Sequence, residues 1–349
     1  MSYRFDTLVG FAQRLLERAG LDGDKPAVVA QMLVTADAMG HTTHGLAQLG
    51  DYLEELEAGA MTATGEPDVV ADRSAAVVWD GRRLPGVWLT HRAVMLAGER
   101  AKAHGLCAVT IRRSHHIACL AAFLPLATEQ GLMAVVASSD PSSAAVAPHG
   151  GRTAVFTPDP IAVGIPTSGD PVLIDMSSSI TTAGMSARLR KSGGRFPGAW
   201  AIDAQGRPTD DPMALVGEHP GTLLLTGGLD HGHKGYGMAL TVEALTQALS
   251  GYGRADGETG WGASVFVQVF DPALFGGKEA FLRQTDWVAR ACRASEPIDP
   301  ARPVRLPGAS AMAGLRAARR DGLTLHPGIM DGLLPWAARL GVAAPAPDA

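Results

Sequence analysis

The sequence predicts a mixed α/β (α+β) protein, a mixed sheet with covering helices plus a helical region, on three observations. Apolar residues recur at helical spacing from Arg4 to Gly59, and from Ala75 short β-rich runs alternate with helical ones. Neither G-x-G-x-x-G behind a strand nor G-x-x-x-x-G-K-[ST] occurs, so any nucleotide is bound without the usual Rossmann or P-loop cradle.

In the first segment Phe5, Leu8, Phe11, Leu15 and Leu16, then Val28, Val29, Met32 and Leu33, then Leu46, Leu49, Tyr52 and Leu53 mark three helices, with breaks at Gly20 and Gly40. AAVVWD (75–80), LCAVTIR (106–112) and LMAVVASS (132–139) read as strands; THRAVMLAGERAKAHG (90–105) and HIACLAAFLPLATEQG (116–131) read as helices. TAVF, IAVGIP and PVLIDM, between 153 and 176, read as irregular strands and loops near a site, and 191–212 as an exposed Gly-rich excursion. KGYGMALTVEALTQALSG (234–251) reads as a helix and ASVFVQVFD (263–271) as the strand that closes the sheet. Helices over 278–295, 308–320 and 329–340 complete the chain, ending in a frayed VAAPAPDA.

Hydrophobic residues make up 46% and aromatics only 5%, which suits a compact core filled by Ala, Val and Leu. A net charge of −5 gives no electrostatic reason to expect nucleic acid or an anionic membrane, which leaves a small-molecule partner. Cys107, Cys119 and Cys292 show no CxxC and leave one thiol over under any pairing, so a reducing, cytoplasmic setting is expected. MSYRFDTLVG suggests neither a secretory signal nor a transit peptide, and no run is long enough for a membrane span.

Chemistry concentrates in histidines. In HTTHG (41–45), Thr42 or Thr43 can cap the following helix, and His44 falls in its first turn, where the helix N-terminus disfavours imidazolium. His41 is expected to pack or orient the turn. A metal could use His41 with His44, His115 with His116, or His231 with His233, but neighbouring rings point apart and no H-E-x-x-H or cysteine partner appears; no metal site is expected. DHGHKGYG (230–237) sets His233 and Lys234 before a glycine-flanked helix start, where N–H groups suit a phosphate, a solvated loop being the alternative. RSHH (113–116) reads as a second strand-to-helix junction of the same kind.

Taken together, these stretches resemble the malate/L-lactate dehydrogenase family that lacks a Rossmann fold and includes ureidoglycolate, sulfolactate, 2,3-diketogulonate and Δ1-piperideine-2-carboxylate oxidoreductases. HTTHGLAQLGDYLEELEAGAM resembles the family's G-H-x-S-H-G-x-x-R-L block and SHHIACLAAF its S-x-H-F-G block. APHGG, DPIAVGIP, VLIDMSSS, PGAWAIDAQGRPTDDP, GHKGYGMAL and VRLPG follow in the family's order, nearly end to end. The resemblance implies a malate/lactate dehydrogenase-like fold, divided as a helical domain from both termini (1–74 with 296–349) and a mixed-sheet cofactor- and substrate-binding region (75–295). It also implies a homodimeric, NAD(P)-dependent oxidoreductase with NADP favoured over NAD. His44 is then the proton donor or acceptor, Thr43 stands where the family has a serine, and Asp175 supports the proton relay. The cofactor is expected at Ser114, His115, His116, Ile117 and Ala118, at Asp175, Met176 and Ser177, at His233 and Lys234, and at Arg305, Leu306, Pro307 and Gly308. Arg112 or Arg113 could meet a 2′-phosphate.

Departures from the family pattern cluster around the substrate. Its carboxylate-gripping arginine is Gln48; its T-N-P is Pro158-Asp159-Pro160; an asparagine after the preceding strand is Asp140; the S-x-H-F-G aromatic and glycine are Ile117 and Ala118. Losing an Arg fork weakens a carboxylate by about 1.5–3 kcal/mol. The expected substrate is therefore neutral or amine-bearing, such as a cyclic imine, reduced at a C=N or C=O next to a carboxyl or amide carbon. The alternatives are an ordinary 2-hydroxy acid dehydrogenase with Arg188, Arg190 or Arg195 replacing the missing arginine, a catalytically silent relative, and a metal hydrolase.

Overall fold

The computed structural model describes residues 2–347, so the last two residues of the VAAPAPDA tail lie outside the described residues. Its centre is a seven-stranded sheet in the order Asp68–Asp72, Ala76–Asp80, Leu106–Ser114, Ala263–Phe270, Met133–Ser139, Pro160–Ile165, Val172–Ser177. Only Ala76–Asp80 and Leu106–Ser114 run parallel, joined by the crossover helix Gly86–His104; the other neighbours are antiparallel.

Two sequence expectations change here. Ala263–Phe270 does not close the sheet but fills its middle, and the reason is visible in its residues: Val265, Phe266, Val267 and Val269 are all buried, so the run is apolar on both faces. Conversely Asp68–Asp72, assigned to the helical region by a boundary at 74, is an edge strand; DVVAD, flanked by acids and with Val69 61% exposed, reads locally as a loop because edges carry charge.

The helical region is Phe5–Arg18, Lys25–Ala38, Leu49–Glu57, Ala309–Asp321 and Ile329–Leu340, tied together by Ser2–Tyr3 pairing antiparallel with Leu323–Thr324. Phe5, Leu8, Phe11, Leu15 and Leu16 bury one stripe of the first helix, and this core runs without interruption into Val109, Ile111 and Val267 of the sheet. Trp88, which is buried, donates its Nε1–H to Asp24 Oδ1 (2.8 Å) and so pins the crossover helix to that region.

The Gly-rich excursion is largely exposed, as expected, but carries secondary structure of its own. A helix Ala183–Ser192, whose Thr182 hydroxyl accepts from Met185 N–H (3.1 Å), leads into a three-stranded sheet of Thr222–Leu223, Ala201–Ile202 and Pro208–Thr209. Phe196, Ala201, Leu223 and Leu225 give it a small core of its own, shared with Val146 and Phe156. TAVF contributes only a single bridge, Val146 to Phe156. The segment after Ser114 also differs: 115–119 has no regular secondary structure and helical turns begin only at Leu120, so RSHH opens no helix. No helix among the described residues is long and apolar enough to cross a membrane.

Candidate active site

The second helix stops at Met39 and Gly40, and the chain turns back on itself through HTTHG, with His44 N–H bonded to the His41 carbonyl (2.9 Å). Leu46 N–H donates to Asp37 Oδ2 (2.6 Å), and a Cβ on Gly45 would lie 2.4 Å from the Asp37 carboxyl carbon, so only glycine allows this approach. Neither Thr42 nor Thr43 caps the following helix; the Asp37 carboxylate satisfies the backbone instead. His44 therefore sits before the helix rather than in its first turn, and burial, not a helix terminus, sets its acidity. Burial pushes Asp37 up to about 7, opposed by the Leu46 N–H and the Arg188 charge.

Thr43 Oγ1 lies 2.7 Å from His44 Nδ1, fixing the ring. Burial lowers the His44 pKa to about 4, with His41 and Arg188 adding to the shift, so the imidazole is neutral near pH 7. Arg188, on the helix Ala183–Ser192, donates from Nη1 to Thr42 Oγ1 and from Nη2 to the Thr42 carbonyl, both at 2.9 Å. The start of that helix packs on the same turn: a Cβ on Gly184 would stand 3.7 Å from His44 Cε1. Gln48 turns inward, its amide donating to the Thr43 carbonyl (2.8 Å), and braces the turn.

A second imidazole faces the first. The His116 ring centroid is 6.1 Å from that of His44; its Nδ1 lies 2.9 Å from the Tyr52 hydroxyl and its ring stacks on Trp261 at 4.6 Å. Burial holds it well below the usual histidine range, with His44 and His115 adding. His116, expected among the cofactor contacts, thus faces His44 from within the buried Tyr52–Trp261 cluster. Tyr52 read from the sequence only as a core position, Thr42 only as a possible helix cap, and Trp261 carried no motif at all.

Asp175 lies on the edge strand Val172–Ser177, where its Oδ2 accepts from Ala121 N–H (2.8 Å). Burial raises its pKa, and the charge that opposes this is His41. The imidazole grouped with Asp175 is therefore His41, within 4.8 Å, rather than His44. This same strand collects the remaining expected cofactor segments. Pro307 accepts from Leu173 N–H (3.1 Å), and Gly308 (φ +83°) presses on Leu173, which fixes 305–308 beside its start. At its end, Thr226 N–H donates to the Ser178 carbonyl and Gly235 N–H to the Thr226 carbonyl, so the helix His233–Glu243 begins there with His233 and Lys234 exposed. A Cβ on Gly235 would meet the Ser178 carbonyl at 2.5 Å.

Other expected residues stand elsewhere. His115 is buried, with Nε2 3.1 Å from Glu55 Oε2, and does not open to a cofactor. Ser114, Ile117 and Ala118 are likewise buried, Ser114 donating to the His115 carbonyl (2.8 Å) and Ala118 held at φ +58°. Arg112 and Arg113 both pair with the buried Asp80 instead of standing free for a 2′-phosphate. Arg195 is taken by Asp210. Asp159 does not line a substrate pocket: it is fully buried, accepts from Thr157 Oγ1 (2.6 Å), and burial followed by the neighbouring Glu243 raises its pKa. Asp140 binds Ser142 through its carboxylate, and the Pro158 carbonyl accepts from Ser178.

Comparisons with known proteins identify the family. The malate/L-lactate dehydrogenase family model matches residues 3–334. An L-lactate dehydrogenase of Cupriavidus necator is 30% identical over 341 residues, covering 96% of each chain. A (2R)-3-sulfolactate dehydrogenase (NADP(+)) of Chromohalobacter salexigens is 32% identical over 336 residues, covering 92% of this chain and 94% of that one. The solved Δ1-piperideine-2-carboxylate reductase of Pseudomonas syringae pvar. tomato superposes with a TM-score of 0.83 at 25% identity, over 97% of this chain and 100% of that one. With a match that spans the helical region, the imidazole pair and the edge strand alike, the chain belongs to the malate/L-lactate dehydrogenase family and is an oxidoreductase.

Proposed function

We propose that the protein moves hydride between NADP or NAD and a carbon bearing oxygen or nitrogen next to a carboxylate, with His44 carrying the proton. The observation that carries this reading is the neutral His44 imidazole, braced by Thr43 and set beside the Arg188–Thr42 pair. The groups along the edge strand suit an anionic dinucleotide: the exposed Met176, Ser177, and the exposed His233 and Lys234 beside its end. When bound, the nicotinamide supplies or accepts the hydride. His44 gives or takes the proton at the substrate heteroatom through Nε2, since Nδ1 is engaged by Thr43.

Arg188 spends only part of its guanidinium on Thr42 and keeps further N–H donors for an anion. It thereby offers a replacement for the family arginine that is Gln48 here. A carboxylate held there offsets the positive charge that depresses His44, so the imidazolium forms more easily once substrate is in place. The reading therefore favours an anionic 2-oxo or 2-imino acid, or the 2-hydroxy acid in reverse, over a neutral or amine-bearing substrate, because Asp140 and Asp159 are engaged away from the imidazoles. The carboxylic acids in the relatives' names support the same class. Titrating NADH and NADPH by fluorescence, then following their oxidation with pyruvate, oxaloacetate and a cyclic imine acid, tests it: saturable binding and turnover are expected. Failure to bind either nucleotide overturns it.

A homodimer is part of this proposal, supported by the exposed Phe275, Trp287 and Val288 on and beside the helix Lys278–Arg293. Light scattering should give twice the chain mass.

A further inference from the structure

We infer that His41, Cys119 and Asp175 form an inhibitory zinc site. One ring nitrogen, the Sγ and one carboxylate oxygen lie within 4.8 Å of one another, brought together from the turn after the second helix, the irregular segment after the strand Leu106–Ser114, and the edge strand. No spacing in the sequence joins them, which is why the histidine pairs weighed there miss this group.

The carboxylate is already aimed. Asp175 Oδ2 takes the Ala121 N–H at 2.8 Å and the Cys119 thiol at 3.8 Å. Cys119 is buried while His41 is partly exposed, so an ion reaches the group from the His41 side. A nitrogen, sulfur and oxygen set suits zinc, whereas calcium and magnesium want oxygen alone. Zinc ligands at their usual bond lengths stand about 3.3–3.8 Å apart, so closing the group needs side-chain movements of about 1 Å. Three protein ligands leave a fourth position for water. On binding, the Cys119 S–H bond breaks heterolytically, the thiolate sulfur gives its pair to the metal, and the proton leaves to solvent; nothing is oxidised or reduced.

Occupation would draw His41 toward Cys119 and Asp175, and because the His41 carbonyl accepts the His44 backbone N–H at 2.9 Å, it would shift the turn that positions the His44 ring, so turnover would fall. Metal binding is independent of the hydride-transfer reading, but the inhibition rests on it.

Cobalt(II) as a spectroscopic substitute gives the test. Titrated into metal-free protein, it should produce a near-ultraviolet thiolate-to-cobalt band that saturates at a single equivalent per chain and is displaced by zinc. Cys119→Ser keeps a hydroxyl donor to Asp175, so its circular dichroism and zinc-free turnover should match the parent. The variant should show no such band, and its zinc inhibition constant should rise by about tenfold or more. A parent without the band, or a variant as sensitive to zinc as the parent, overturns the site. A parent with the band but without nicotinamide turnover overturns the hydride reading and leaves the site standing.

Discussion

Two buried aspartates show how the same chemistry serves different ends. Asp37 and Asp159 are both shut away from water, both have raised pKa values, and each keeps one oxygen, Oδ1 of Asp37 and Oδ2 of Asp159, without a hydrogen-bond partner among the described residues. Asp37, near the end of the second helix, holds the Leu46 N–H just beyond His44's turn and feels the Arg188 charge. Asp159 instead adjoins a knot in which Glu243 accepts from Ser139 and from Arg254, and Gln247 donates to Ser139. A perturbed carboxyl alone is therefore no mark of catalysis; what it faces decides.

The largest effect that sharpens this contrast is expected from His44→Ala. Turnover should drop by about 10²–10⁴-fold while nucleotide fluorescence titration stays unchanged. Retained turnover would remove the active-site half of the comparison.

Next in size is Arg188→Met, expected to raise KM for a carboxylate substrate by about ten- to hundredfold, the equivalent of roughly 1.5–3 kcal/mol. It should also shift the acid limb of the kcat/KM profile for hydroxy acid oxidation upward from about 4, because one of the charges that lowers His44 is gone. An unshifted limb would separate Arg188 from His44.

Gly45→Ala drives a methyl into the Asp37 carboxyl and should destabilise the chain by about 1–3 kcal/mol in urea unfolding, with activity falling alongside.

The two aspartates can then be compared directly. Asp159→Asn should leave kcat/KM unchanged and raise the melting temperature above pH 7 by the equivalent of about 1–2 kcal/mol, with no gain near pH 4. The sign follows from a folded pKa above the unfolded one: stability is complete below the unfolded pKa and is lost as pH rises through the folded one, and Asn has no charge to bury. Asp37→Asn should instead lower kcat/KM by about tenfold, having lost the attraction for Arg188. Equal outcomes at both positions would erase the distinction.

The smallest effect is Ala118→Gly. Ala118 sits at φ +58° where the family has glycine, and thermal unfolding should show a gain of about 1 kcal/mol.

Much of this was legible in local pattern. The helices at 5–18, 25–38 and 329–340 follow their apolar spacing, and the strands at 76–80, 106–114 and 133–139 their β-rich runs. What escaped depends on pairing between distant segments. Nothing near Arg188 announces Thr42, nothing near Trp261 announces His116, and Asp159's neighbours come from residues 139, 243 and 254. Gln48 was legible as a departure, but only its bond to the Thr43 carbonyl gives it a use.

The clasp between Ser2–Tyr3 and Leu323–Thr324 has a consequence for biosynthesis. The strand Ser2–Tyr3 has no partner until residues 323–324 have been made, so a nascent chain leaves the ribosome with its first helices waiting for distant neighbours. Stop codons shortly before residue 323 should therefore harm the front of the molecule as much as the back.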